Sequence, residues 1–442
     1  MIYASWDTTL CINDTKFLIE ELKKVGSSKE LNIVVLLDTM YPKDETNFLY
    51  ILKNTTRNIP WYEKDSNLGD WRTLAEFIDR VKKNFTAQHY ILIIASPHGM
   101  AWQGVCQDND INKGRTQAQL EATFIDMSEL TTALKIITNN GRERIDIIGF
   151  STCITASVEV AYQIAPYANY MVASEENMHS FSSNPNYTWP HYKSLSKLRE
   201  FPNMSAEDFA KCIVNNFVAE SNTSAYLRCY PTKKWVNIPI NTTLSAINLN
   251  RVSQVASAVD KLAMNLIKEM PKYRDIIKEA RSKARKFGPW YPRTKFGYLA
   301  YLPKIRETMT KMGIPYFMDV WIDLYHFSEL LYNLLDQNNE SPKLKFLLQK
   351  VMEAINNSVI ANNVSTGDNA HGMHVYFPSN AFRYDQHLWW IGFPYLLLSK
   401  KAFASYEKLD FAKATSWNEM LYRYYHIPDF LVKPWLKLKR IF

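Results

Sequence analysis

The sequence predicts an α/β fold with a mostly parallel sheet covered by helices on both faces. Three observations predict it. Short continuous apolar runs recur through the first 175 residues, the pattern of strands buried on both faces. Amphipathic stretches at helical spacing separate them. The two alternate at lengths that suit strand–helix–strand units.

The first run covers residues 31–38 and ends in Asp38. Residues 70–85 follow, with Leu74, Phe77, Ile78 and Val81 on one helical face. Residues 89–96 read as a second buried strand that runs into Pro97, His98 and Gly99. Residues 103–121 are rich in Asn, Asp, Gln, Lys and Gly and read as a long loop. A helix is expected over 128–137, where Ser128 and Glu129 supply a cap-like start. The third strand, 144–150, runs into Ser151, Thr152 and Cys153. A helix over 155–164 and a strand over 170–174 complete this region. After residue 195 helical patterns dominate, over 206–219, 253–268, 319–335 and 343–356. Two strand-like segments interrupt them, 242–250 and 374–378. The expected division is therefore an α/β region over 1–195 and a largely helical C-terminal extension over 196–442. No repeat at solenoid periods is present.

Composition excludes several classes. Of the 442 residues, 47% are apolar, too many for a disordered chain. Thirteen glycines exclude a collagen-like repeat. The net charge of +8 is spread without a basic tract. Its densest cluster is the tail, where Lys437, Lys439 and Arg440 alternate with Trp435, Leu436 and Leu438. That reads as a solvated tail; no base-reading motif accompanies it, so no nucleic-acid partner is expected. The most apolar run, 388–398, is broken by Gly392 and Pro394 and falls well short of the ~18 residues of a membrane span. The N-terminus lacks a basic region and a long apolar core. The expected location is the cytoplasm, or outside the cell if a leader precedes this sequence. Five cysteines at long spacings, with no CxxC pair, argue against a zinc ribbon, a redox motif and a disulfide scaffold.

His98 and Cys153 stand out because each follows a predicted strand. In a parallel sheet the carboxyl ends of the strands open on one edge, where ligands bind. If the strands are neighbours, the two residues meet there. A Cys beside a His is a nucleophile with its base, because His⁺ lowers the thiol pKa. A helix starting near Thr155 would add a positive partial charge. The N–H groups of Gly99 and Cys153 could hold an oxyanion. The bland alternative stands beside this one. Cys is among the most buried residue types, and a lone His is usually structural.

The wording around both residues favours the first reading. Residues 90–104, containing Ser96, Pro97, His98, Gly99, Met100, Ala101 and Trp102, resemble the His-Gly block of the clostripain family of cysteine peptidases. Residues 145–153, followed by Val158, Glu159, Val160, Ala161 and Tyr162, resemble its nucleophile block. Leu68, Gly69 and Asp70, residues 242–249 and residues 375–378 match further segments in the same order. The resemblance implies a caspase-like three-layer α/β/α sandwich, endopeptidase activity on peptide or protein substrates, and a catalytic Cys153/His98 dyad. It also carries one departure. The family's nucleophile block usually has Asp two positions before the Cys, where it helps bind a basic P1 side chain. Here that position is Ser151, and a hydroxyl cannot neutralise Arg or Lys as a carboxylate does. Glu175 and Glu176 are the candidate substitutes, with a solvated pair as the alternative reading. The resemblance further implies self-cleavage between the two blocks, with Lys113 and Arg115 as candidate cut sites in the 103–121 loop. The sequence itself requires no cofactor and suggests no metal ligand set. Calcium enters by resemblance alone, and Asp108 and Asp110 are a thin basis for a cation that needs six or more oxygens. His371 and His374 lack the HExxH arrangement of a zinc site. Two other classes compete with a peptidase: an inactive relative that binds a peptide or protein, and a small-amide hydrolase.

Overall fold

The computed structural model describes residues 1–6, 12–39, 45–97, 99, 101–106, 108, 124–178, 188–219, 223–229, 234–287, 320–338, 340–379 and 406–425. The chain opens with β1 (Ile2–Trp6), α1 (Ile12–Val25), β2 (Val34–Thr39), β3 (Glu45–Leu52) and β4 (Thr55–Asn58). Next come α2 (Trp71–Asn84), β5 (Ile91–Ala95), α3 (Met127–Ile137), β6 (Ile145–Ser151), α4 (Val158–Ile164) and β7 (Ala168–Ala173). The second half supplies α5 (His191–Glu200), α6 (Ala206–Asn216), β8 (Thr223–Cys229), β9 (Lys234–Ile240), β10 (Thr243–Asn248) and α7 (Val252–Lys283). It continues with β11 (Lys286–Phe287), β12 (Trp321–Asp323), α8 (Leu324–Gln337), α9 (Pro342–Ser358), β13 (Val359–Val364) and β14 (His374–Tyr376). Two short helices, α10 (Asp410–Ala414) and α11 (Trp417–Tyr424), end the described chain.

One nine-stranded sheet organises these elements, in the order β13-β10-β7-β6-β5-β1-β2-β3-β4. Its five central strands run parallel. Antiparallel pairs close it at both sides, β10 and β13 beyond β7 and β3 and β4 beyond β2. Side chains alternate between the faces. Tyr3, Leu36, Leu92, Ile94, Ile148 and Phe150 point into one core, with Leu74 and Phe77 of α2, Leu134 of α3 and Val259 of α7. Ile2, Ala4, Val35, Leu37, Ile93 and Ile147 point into the other, with Leu18 of α1, Leu195 of α5 and Phe209 of α6. This is the expected three-layer α/β/α sandwich.

Strand β10, beyond residue 195, pairs with β7, and β13 pairs with β10 across a register shift between Ala246 and Ile247. Two expectations change. The helix expected over 319–335 begins as strand β12, since Trp321–Asp323 pairs with β11 and β14. Helix α7 runs on past 268 to Lys283, straight through Pro271.

Candidate active site

Strands β5 and β6 are parallel neighbours, with Ala95 opposite Ser151. The Ser96 N–H donates to the Ser151 carbonyl at 3.3 Å, so both chains leave the sheet at the same edge. His98 lies outside the described residues, whereas Pro97 and Gly99 on either side are described. Gly99 makes the decisive contact. A Cβ placed there would lie 2.6 Å from Thr152 Cβ and 2.7 Å from the Cys153 carbonyl oxygen. Gly99 therefore sits tightly against the Thr152 side chain and the Cys153 carbonyl, and any larger residue would push the two turns apart.

The Cys153 thiol is half-buried, and its Sγ lies 3.8 Å from the Met178 carbonyl. Burial pushes its pKa up to about 11, and the Glu176 carboxylate adds to the rise. Such a thiol is protonated at neutral pH, so a base must take its proton before it can act as a nucleophile. The turn after Cys153 is strained. Ile154 has φ 51°, a left-handed conformation that β-branched residues rarely adopt and that clusters at functional sites. The next helix, α4, starts at Val158, with the Ser157 side chain accepting from the Val160 N–H. Cys153 thus stands several residues before the cap. The expected helix-dipole assistance is not supported, because that field fades within about one turn.

Comparison with known proteins decides the family. The model of the clostripain family of C11 peptidases matches residues 9–435. The chain belongs to the clostripain family. It is a cysteine peptidase with a caspase-like fold. It is 23% identical to clostripain of Hathewaya histolytica over 454 residues, covering 87% of this chain and 75% of that protein. Among solved structures it resembles an inactive zymogen C11 protease from Parabacteroides distasonis. The TM-score is 0.57 at 14% identity, covering 94% of this chain and 96% of that one. It also resembles a secreted C11 cysteine protease from Bacteroides thetaiotaomicron in complex with an irreversible peptide inhibitor. There the TM-score is 0.53 at 16% identity, covering 85% and 88%. No helix among the described residues is long and apolar enough to cross a membrane.

Within this family fold the two candidate acids have partners of their own. Both are buried, so the solvated-pair reading is corrected. Glu176 Oε2 accepts from Arg285 Nη2 at 3.0 Å, and its Oε1 accepts from the Asn177 N–H and Nδ2. Glu175 Oε2 accepts from the Gly372 N–H at 2.7 Å. Burial and the adjacent Asp323 carboxylate raise the Glu175 pKa well above the usual range. Asp323 itself accepts from the N–H groups of His326 and His371, both at 2.6 Å. Ser151 is the last residue of β6 and is partly buried.

Lys113, Arg115 and Asp110 lie outside the described residues. Asp108 is buried and accepts from the Leu68 N–H at 2.9 Å. Among the described residues no group of three or more His, Cys, Asp or Glu is placed to hold a metal ion. His371 stacks on Tyr325 with ring centroids 4.3 Å apart. His374 is buried near Phe287 and Trp321, and burial holds its pKa down at about 3. Sequence reasoning missed Arg285, Asp323 and Asp368. Two acids following a buried strand imply a buried base nearby, yet nothing local says which of 52 Lys and Arg residues supplies it.

Proposed function

We propose that this peptidase cleaves peptide bonds internally with Cys153 as nucleophile and His98 as its acid–base partner. One observation carries the reading: Gly99, the residue after His98, sits tightly against the Thr152 side chain and the carbonyl of Cys153. His98 takes the thiol proton, and the thiolate attacks the scissile carbonyl carbon. The resulting C–S bond replaces the C–N bond, and His98 returns the proton to the leaving amine. Water, deprotonated by His98, then attacks the thioester, releasing the acid product and regenerating the thiol. The N–H groups of Gly99 and Cys153 are the proposed oxyanion donors. The peptide inhibitor bound to the Bacteroides thetaiotaomicron relative supports a peptide or protein substrate.

The same reading proposes a neutral P1 residue over Arg or Lys. Ser151 offers only a hydroxyl. Glu175 and Glu176 already serve Gly372, Asp323 and Arg285. Self-cleavage after Lys113 or Arg115 would need the same pocket to accept a cation, so a P1 profile addresses both questions.

Cys153→Ala tests the nucleophile. It is expected to abolish hydrolysis of a quenched peptide library and labelling by a peptidyl acyloxymethyl ketone. Hydrolysis that survives would overturn the assignment. A folded wild type that binds library peptides without cleaving them would favour a binding module. Ser151→Asp, profiled beside the wild type, is expected to bring in cleavage after Arg and Lys.

A further inference from the structure

The loop that carries Cys153 is laced to a second segment. After β7 the chain runs through residues 174–178 alongside residues 153–156. The Ser174 carbonyl accepts from the N–H groups of Thr155 and Ala156, both at 2.9 Å. The Glu176 carbonyl accepts from the Ile154 N–H at 3.1 Å. The Met178 carbonyl faces the Cys153 Sγ. Wherever this segment goes, the strained Ile154 and the thiol follow.

The segment is in turn fixed from the far half of the chain. Arg285, between α7 and β11, reaches Glu176 with Nη2 at 3.0 Å. The same guanidinium is bidentate on Asp368, Nε to Oδ1 at 2.6 Å and Nη2 to Oδ2 at 3.0 Å. Asp368 also accepts from Asn241 Nδ2 at 2.8 Å, and the Arg285 N–H donates to His326 Nδ1 at 3.1 Å. Asp368 is fully covered, and the Glu176 side chain nearly so. A planar fork that holds two carboxylates at once is the geometry Arg provides and Lys does not.

We propose that Arg285 is a positioning residue for Cys153, acting through Glu176 to hold segment 174–178 against the loop that carries the thiol. This rests on the reading of Cys153 as nucleophile. Its effect on the thiol passes through one carboxylate and the backbone behind it. Other charges around the pair are Asp368 and His326, with Glu175, Asp323 and His371 beyond them. The charge on the thiol's own side is Glu176, besides the His98 of the proposed dyad.

The test is a double-mutant cycle on the full chain, with Arg285→Met, Glu176→Gln and the pair together, and Arg285→Lys as the conservative variant. Three readouts are taken: kcat and KM on a cleavable peptide, the pH profile of Cys153 carbamidomethylation by iodoacetamide followed by peptide mass, and circular dichroism. Arg285→Met is expected to lower kcat about tenfold or more with little change in KM. Arg285→Lys falls between it and the wild type. Glu176→Gln keeps an acceptor for the guanidinium but removes the negative charge, so the alkylation inflection moves to lower pH by about half a unit or more. Once Glu176 is Gln, changing Arg285 should cost much less than it does alone. Additive effects, or an unmoved inflection in Glu176→Gln, overturn the proposal. If Arg285→Met fails to fold, Arg285→Lys and Glu176→Gln decide, and wild-type kcat and pH profile in both overturn it. Cys153→Ala run in parallel separates the two levels. Activity in that variant sinks the nucleophile assignment; its loss, beside unchanged Arg285 variants, sinks only this inference.

Discussion

Gly99→Ala perturbs the site at its tightest backbone contact. The new Cβ would sit 2.6 Å from Thr152 Cβ and 2.7 Å from both Thr152 Oγ1 and the Cys153 carbonyl oxygen. Carbon atoms pack comfortably at about 3.5–4.0 Å, so one turn must retreat by about 1 Å. A neighbouring flexible side chain could swing away at little cost. Here the crowding atoms are a Cβ and a main-chain carbonyl, which move only with the backbone. Overpacking of this kind costs about 1–3 kcal/mol of stability. The loss in rate should be larger than that figure suggests, because misplacing reacting groups by about 1 Å costs about a hundredfold. The assay is kcat/KM on a fluorogenic peptide, with urea unfolding in parallel to confirm that the chain is folded. A second variant sharpens the outcome. Gly99→Ala/Thr152→Gly removes two of the three crowding atoms but leaves the carbonyl, so it should restore activity only partly. A folded Gly99→Ala protein with wild-type kcat/KM would refute the reasoning, since the turns would then not need their observed spacing.

Two further changes probe the scaffold. Glu159 on α4 is fully buried, and its Oε1 accepts from the Tyr376 N–H and the Tyr406 hydroxyl. Burial raises its pKa from 4.5 to about 7. The native state holds this proton more tightly than the unfolded chain, so the stabilisation is complete below about pH 4.5 and is lost as pH rises through 7, up to about 3 kcal/mol. Glu159→Gln keeps the acceptor and should remove that share of the pH dependence between pH 5 and 8 in urea unfolding; a slope equal to wild type would contradict it. Pro271 lies exposed inside α7 and supplies no N–H to the helix ladder. Pro271→Ala should stabilise the fold by about 1–3 kcal/mol, read as a higher Tm, and a lower Tm would mean that a bend at this point is needed for packing.

The parts of the fold legible in the sequence were those where a local pattern has only one physical solution. Residues 91–95 form a continuous apolar run and residues 145–150 one broken only by Asp146 and Gly149, and a strand covered on both faces suits runs so short. The placement of His98 and Cys153 after neighbouring strands followed from the same rule. Strand β1 escaped because its five residues include Ser5 and sit at the chain start, yet pairing with β2 and β5 on both sides makes it central. The β3–β4 hairpin escaped for the opposite reason. Its edge strand β4, Thr55–Asn58, is wholly polar, and β3 opens on Glu45, Thr46 and Asn47 before its short apolar run 48–52. Residues 321–323 read equally well as the start of a helix, and only pairing with β11 and β14 makes them a strand. The partners of Glu175 and Glu176 were illegible in principle. Arg285, Asp323 and Gly372 lie more than a hundred residues away, and their meeting is a product of the whole topology.

That topology bears on what the C-terminal half does. Strand β10 pairs antiparallel with β7 and so continues the sheet beyond the strand that ends next to the site. Thr243, its first residue, accepts through Oγ1 from the N–H groups of Glu175 at 3.0 Å and Glu176 at 3.3 Å, and shares a hydrogen bond with the Ser174 hydroxyl. Gly372 and Arg285 then hold the two carboxylates. The segment facing the Cys153 thiol is therefore fixed on its backbone side and on both its acidic side chains by residues beyond 240. Without them β7 would become an edge strand with open N–H and C=O groups, and two acids now covered by protein would stand in water and draw segment 174–178 away from the loop they support. Residues beyond 240 thus hold segment 174–178, against which residues 153–156 are laced.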